Sequence, residues 1–89
     1  MKLKKDFVLR KVAGNWVVLP VGESALSYTG MLRLNDAGAI LWQALEKDPS
    51  AEAMVAALTA EYDVAQQQAR EDVEAFLEKL AAAGCLEQE

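Results

Sequence analysis

Residues 31–45 read Met31-Leu32-Arg33-Leu34-Asn35-Asp36-Ala37-Gly38-Ala39-Ile40-Leu41-Trp42-Gln43-Ala44-Leu45. A short apolar strand, Met31 to Leu34, runs without a loop into an amphipathic helix. Asn35 must therefore end the strand and start the helix. Its side-chain oxygen suits that task, because it can accept a backbone N–H of the first helical turn. Alternation places Leu32 and Leu34 on one face and Met31 and Arg33 on the other. The two leucines are expected to face the helices. The join sets a strand edge beside a helical layer, a geometry that a partner peptide can use.

Upstream, Phe7 to Val12 reads as a strand of apolar and β-branched residues interrupted by charges. Ala13-Gly14-Asn15 is a turn signal. Trp16 to Val21 is a second strand, and the two make a hairpin. Pro20 lacks a backbone donor and fits an edge or a strand end. Gly22 to Gly30 is a polar connection, with Tyr28 its expected anchor. Downstream, the first helix spans about Asp36 to Lys47, with Ala37, Ile40, Leu41, Ala44 and Leu45 on one face and Trp42 extending it. Gly38 costs about 1 kcal/mol against Ala in a helix interior, so close approach of another backbone, the hairpin's, is expected there. Asp48-Pro49-Ser50 stops this helix, and Ser50 caps the next. The second helix, about Ala51 to Tyr62, should bury Met54, Val55, Leu58 and Tyr62. The third, about Ala65 to Ala83, carries Val73, Phe76, Leu77 and Leu80 as its stripe. Gly84 follows as a C-cap, and Leu86 folds back onto the core.

The expected architecture is α+β, in the order β-β-β-α-α-α. A three-stranded antiparallel sheet precedes a three-helix bundle, similar to a winged helix-turn-helix. Short connections exclude parallel crossovers. The 89 residues make a single domain, residues 1–89, and the apolar fraction of 53% supplies its core. No apolar run approaches the ~20 residues that span a bilayer. A cytoplasmic location is expected, since no signal-peptide core follows the basic start and the lone Cys85 has no disulfide partner. Cys85 reads as a small apolar filler.

Charge and composition narrow the function. Five of the nine basic residues, Lys2, Lys4, Lys5, Arg10 and Lys11, lie in the first eleven positions. That end reads as solvated and partly frayed. From residue 12 onward, four basic residues face thirteen acidic ones, which repels a phosphate backbone. The third helix sets Arg70 and Lys79 against Glu71, Asp72, Glu74 and Glu78, the wrong sign for a DNA-reading helix. The chain has no histidine, so the usual general base and commonest metal ligand are missing. One cysteine cannot build a zinc site. No phosphate-binding glycine loop or nucleophile elbow occurs. The acidic cluster on the third helix reads as a solvated face, with Asp72 the exception beside the apolar stripe. No catalytic residues, metal site or cofactor are expected, and binding is the better class.

The ordered set Phe7-Val8-Leu9-Arg10, a second apolar strand, Leu34-Asn35-Asp36-Ala37-Gly38-Ala39 and Trp42 resembles a known family. Glu61-Tyr62-Asp63-Val64, Glu71-Asp72-Val73, Phe76-Leu77-x-x-Leu80 and Gly84-x-Leu86 continue the match over about residues 3 to 87. The family is PqqD, coenzyme PQQ synthesis protein D. The resemblance implies a RiPP recognition element, a domain for ribosomally made, post-translationally modified peptides. Such a domain binds the leader segment of a precursor peptide. It presents the rest to a modifying enzyme, often a radical S-adenosylmethionine maturase. The leader adds to the third strand and lies against the third helix. Here that implies Met31, Leu32, Arg33 and Leu34 on the strand, and Ala69, Asp72, Val73 and Phe76 on the helix. Arg33 or Asp72 would read a charge on the leader. The resemblance does not single out the PQQ pathway among peptide pathways.

In such proteins Ser or Thr often caps the third helix, whereas Val64-Ala65 stand here, leaving Asp63 as the expected cap. Two other readings compete, a DNA-binding winged helix and a structural subunit docked on a larger enzyme through its helices. No nucleic acid or membrane partner is expected. A free strand edge also permits a homodimer.

Overall fold

The computed structural model describes residues 2–22 and 32–87. Strands β1 (Phe7–Val12), β2 (Asn15–Pro20) and β3 (Leu32–Leu34) are followed by helices α1 (Asp36–Lys47), α2 (Ala51–Glu61) and α3 (Gln66–Ala82). The sheet is antiparallel in the order β1-β2-β3. The expected α+β architecture and element order hold. Met31 and Tyr28 lie outside the described residues, as does most of the connection that precedes β3.

The hairpin fixes the sheet's register. Ala13 and Gly14 both take positive φ, 51° and 82°, as a two-residue type I′ turn requires. β2 consequently starts at Asn15, one residue earlier than the apolar run suggests, and ends on Pro20, where the missing donor breaks no ladder. One face of the sheet carries Leu9, Trp16, Val18, Leu32 and Leu34, which pack with Phe7 against the helices. Both leucines of β3 therefore face the helical layer, as alternation required.

Trp42, Met54 and Leu80 are fully buried where α1, α2 and α3 meet. α1 starts as anticipated: Asn35 Oδ1 accepts from the Gly38 N–H at 2.8 Å. Ser50 Oγ caps α2 by accepting from the Ala53 N–H at 3.1 Å. α3 starts differently. Its N-cap is Ala65, with no side-chain cap bond, so Asp63 does not take that role. Its far end closes tightly. Gly84 (φ 78°) lets its own N–H reach Ala81 O at 3.1 Å and the Cys85 N–H reach Leu80 O at 2.9 Å. Those two bonds are a Schellman motif.

Three expectations fail for identifiable reasons. Tyr62 is 41% exposed, because α2 ends at Glu61 and extended backbone at Tyr62 turns the ring outward. Gly38 abuts the Leu34 and Asn35 side chains rather than the hairpin. The basic N-terminus is not frayed. Leu3 and Leu86 form an antiparallel bridge, flanked by Lys4 N–H to Cys85 O at 2.9 Å and Glu87 N–H to Lys2 O at 2.7 Å. These bonds tie the two ends of the chain together. Cys85 sits beneath them, 1% exposed. Burial raises its thiol pKa above the usual 9.0, against a smaller lowering by Lys4.

Candidate functional site

β3 is an edge strand, and its register decides which backbone groups face outward. Val12 and Asn15 flank the two-residue turn, so they form a hydrogen-bonded pair. Alternation then aims the backbone groups of Val17 and Leu19 at β1, and those of Trp16 and Val18 at β3. The Val21 N–H donates to Asp6 O at 2.7 Å, which keeps the same parity. Trp16 and Val18 lie opposite Leu34 and Leu32, with Arg33 opposite Val17. Leu32 and Leu34 thus bond inward to β2, while the N–H and C=O of Arg33 point to the open side. No described strand pairs with β3 there. The next outward residue, Asn35, is already engaged, since its C=O accepts from the Ala39 N–H at 3.0 Å.

Beside that edge runs a groove of about 550 Å³. One wall is the strand-to-helix join, Leu34, Asn35, Ala37 and Gly38, and the other is α3, with Asp72, Ala75, Phe76 and Lys79; Leu58 of α2 lies at the base. The missing Cβ of Gly38 is part of this shape. Any larger residue would press on Leu34 and Asn35, where an ideal Cβ already lies 3.2 Å from Leu34 Cβ and from Asn35 Oδ1. The floor is apolar and the rim is charged. The Asp72 carboxylate accepts from Gln68 Nε2 at 2.9 Å. Lys79 Nζ donates to the Arg33 carbonyl at 3.3 Å, across the groove from helix to strand.

The residues expected at the site separate into two groups. Leu34, Asp72 and Phe76 come together in the groove; Arg33 meets it through the Lys79 contact, and Leu32 packs against the core. Ala69 and Val73 are turned into the core instead, 0% and 1% exposed. They support the helix from behind, because positions 69, 73, 76 and 80 form the stripe that packs on the other helices. Lys79, Ala75, Ala37 and Gly38 were not singled out as groove residues. The signal for the helical ones was present: positions 72, 75, 76 and 79 follow the i, i+3, i+4, i+7 spacing of one helical face. Among the described residues, no group of three His, Cys, Asp or Glu side chains is placed to hold a metal ion. No described helix is long and apolar enough to cross a membrane.

The whole chain has solved structural counterparts. The structure of TbiB1 in complex with the TbiA(beta) leader peptide matches over 100% of this chain and 98% of that one. The identity is 27% and the TM-score 0.80. Lasso peptide synthetase B1, complexed with the leader peptide, matches over 94% of this chain and 93% of its own, at 26% identity and a TM-score of 0.75. No curated protein sequence gives a match. The family profile of coenzyme PQQ synthesis protein D (PqqD) matches residues 15–86. With that span covering most of the chain, the protein belongs to the PqqD family.

Proposed function

We propose that this protein is a RiPP recognition element. It captures the leader segment of a ribosomal precursor peptide and presents the precursor to a modifying enzyme. The observation that carries the reading is the open edge of β3 at Arg33, whose carbonyl is reached by Lys79 from the α3 wall of an apolar-floored groove. A strand added there satisfies an N–H and a C=O that the sheet leaves free. Its alternate side chains enter the groove over Leu34 and Phe76. The two structural counterparts, both solved with a leader peptide, support the same mode of action. Leu32, Arg33, Leu34, Asp72 and Phe76 are the proposed contacts, and Met31, outside the described residues, is proposed with them from the family resemblance. Ala69 and Val73 hold α3 in place behind them. Catalysis is assigned to the partner, a radical S-adenosylmethionine maturase or another peptide-modifying enzyme, in the cytoplasm.

The test is a titration of isotope-labelled protein with leader peptides encoded near its gene. Amide shifts should concentrate on residues 32–34 and on the Asp72–Lys79 face of α3. Shifts confined to β1, or to the exposed face of α2, would overturn the proposal. Proline at the leader position opposite Arg33 removes a ladder donor. It should weaken binding by roughly three- to tenfold, the worth of one net hydrogen bond.

A further inference from the structure

The bond between Lys79 Nζ and the Arg33 carbonyl spans 46 positions in sequence and closes the groove at the strand edge. That carbonyl is the acceptor an incoming strand needs. At 3.3 Å and exposed, the contact is long for a hydrogen bond and easily exchanged. Building on strand addition at β3, we infer that Lys79 is the specificity-determining residue of the groove and selects a leader with an acidic side chain beside it. In the free protein the ammonium covers the edge carbonyl. When a leader strand docks, its backbone N–H takes that carbonyl, and the ammonium is freed within the groove. A carboxylate on the bound strand then replaces the lost acceptor through a charge-assisted bond. A leader without an acid leaves the ammonium with water alone.

The surrounding charges make the preference local. Asp72 lines the same groove, seven residues earlier on α3 and therefore about 10 Å away along the helix axis. A second acid at that end of the strand would be repelled. The leader should consequently carry its acid at the Lys79 end and a neutral or basic residue at the Asp72 end. A plain edge-covering role for Lys79 would also blunt unwanted strand pairing, but it predicts no charge preference in what binds.

A display library of random 14-residue peptides, selected in parallel on the wild-type protein, Lys79→Met and Lys79→Glu, tests this. Each selected peptide is first checked for amide shifts at residues 32–34. Wild-type binders should be enriched in Asp or Glu at one position next to the residue paired with Arg33. The enrichment should vanish on Lys79→Met and turn to Lys or Arg on Lys79→Glu. Swapping that acid for Lys in a wild-type binder should weaken it by about tenfold, within the range of a charge-assisted pair. Peptides that shift residues 32–34 yet show the same acid frequency on all three proteins would overturn the inference and leave strand addition standing. A library yielding no peptide that perturbs β3 would overturn both. Position 79 is exposed, so an unchanged far-ultraviolet circular dichroism spectrum and melting temperature verify that each variant folds.

Discussion

Gly38→Ala sets helix propensity against packing at the strand-to-helix join, and the two predict opposite signs. Alanine gains at most about 1 kcal/mol over glycine in a helix. The added Cβ would lie 3.2 Å from Leu34 Cβ, 3.2 Å from Asn35 Oδ1 and 3.5 Å from Leu34 Cδ2. Carbon pairs prefer roughly 3.5–4.0 Å, so the first contact must open by a few tenths of an ångström. Neither close neighbour is free to give way. Leu34 is buried and paired with Trp16 in the sheet. Asn35 Oδ1 is held by the 2.8 Å cap bond from Gly38 itself. Overpacking a fixed site costs about 1–3 kcal/mol, which exceeds the propensity gain. A net loss of about 1 kcal/mol should follow, lowering the melting temperature by roughly 4–8 °C in a domain of this size.

Thermal and urea unfolding followed by circular dichroism measure this loss directly. A double-mutant cycle with Asn35→Ala adds a check. Removing the cap oxygen relieves part of the crowding, so the two losses should sum to more than the double variant shows. If Gly38→Ala raises the melting temperature, or the cycle is additive, the crowding argument fails and propensity governs this turn.

Three further expectations concern single positions. Ala13 holds φ at 51°, a region that costs an ordinary L-residue about 1–2 kcal/mol and that Asn visits more readily. Ala13→Asn should therefore raise the urea midpoint by the equivalent of about 0.5–1 kcal/mol with an unchanged slope; a lower midpoint would contradict the turn assignment. Ala65 occupies the N-cap of α3 with extended backbone and no cap bond. Ala65→Ser places a hydroxyl three positions before Gln68, the spacing of a capping box, and should stabilise by about 0.5–1 kcal/mol. A destabilised variant would refute that start for the helix.

Cys85 supplies the pH test. Burial holds the folded thiol pKa above its ordinary 9.0. The contribution is therefore complete below 9.0, where both states keep the proton. It is lost as pH rises through the unfolded and then the folded value, because only the unfolded chain releases its proton readily. Cys85→Ala should give a shallower loss of stability on the alkaline side than wild type. Equal slopes would show that the thiol is not desolvated.

Local rules read from the sequence were sufficient for the existence and order of the elements, though not for every boundary. Asn35 and Ser50 accept a backbone N–H wherever a helix follows them, and Gly84 ends one because it tolerates positive φ. The alternation of Leu32 and Leu34 is enough to say which face of β3 meets the helices. The hairpin parity was not legible in this way: the turn reads as Ala13-Gly14-Asn15, and the structure closes it in two residues by giving Ala13 and Gly14 positive φ. Ala69 and Val73 mark where such reading stops. Both lie one helical step from the groove, and periodicity defines a stripe without saying which of its borders faces the sheet edge. Tyr62 failed for a related reason, since one residue of helix more or less rotates a side chain by about 100°.

The amino-acid sequence by itself therefore determined the order of strands and helices, the N-caps of α1 and α2, and the lack of histidine-based chemistry. These depend on interactions within a few residues. Only the tertiary structure decided that Leu34, Phe76 and Lys79 line one groove, and that Lys79 reaches the outward carbonyl of Arg33 from 46 positions away. That arrangement depends on how three helices pack against one face of a sheet. No local spacing encodes it, because long-range packing sets which exposed charges become neighbours.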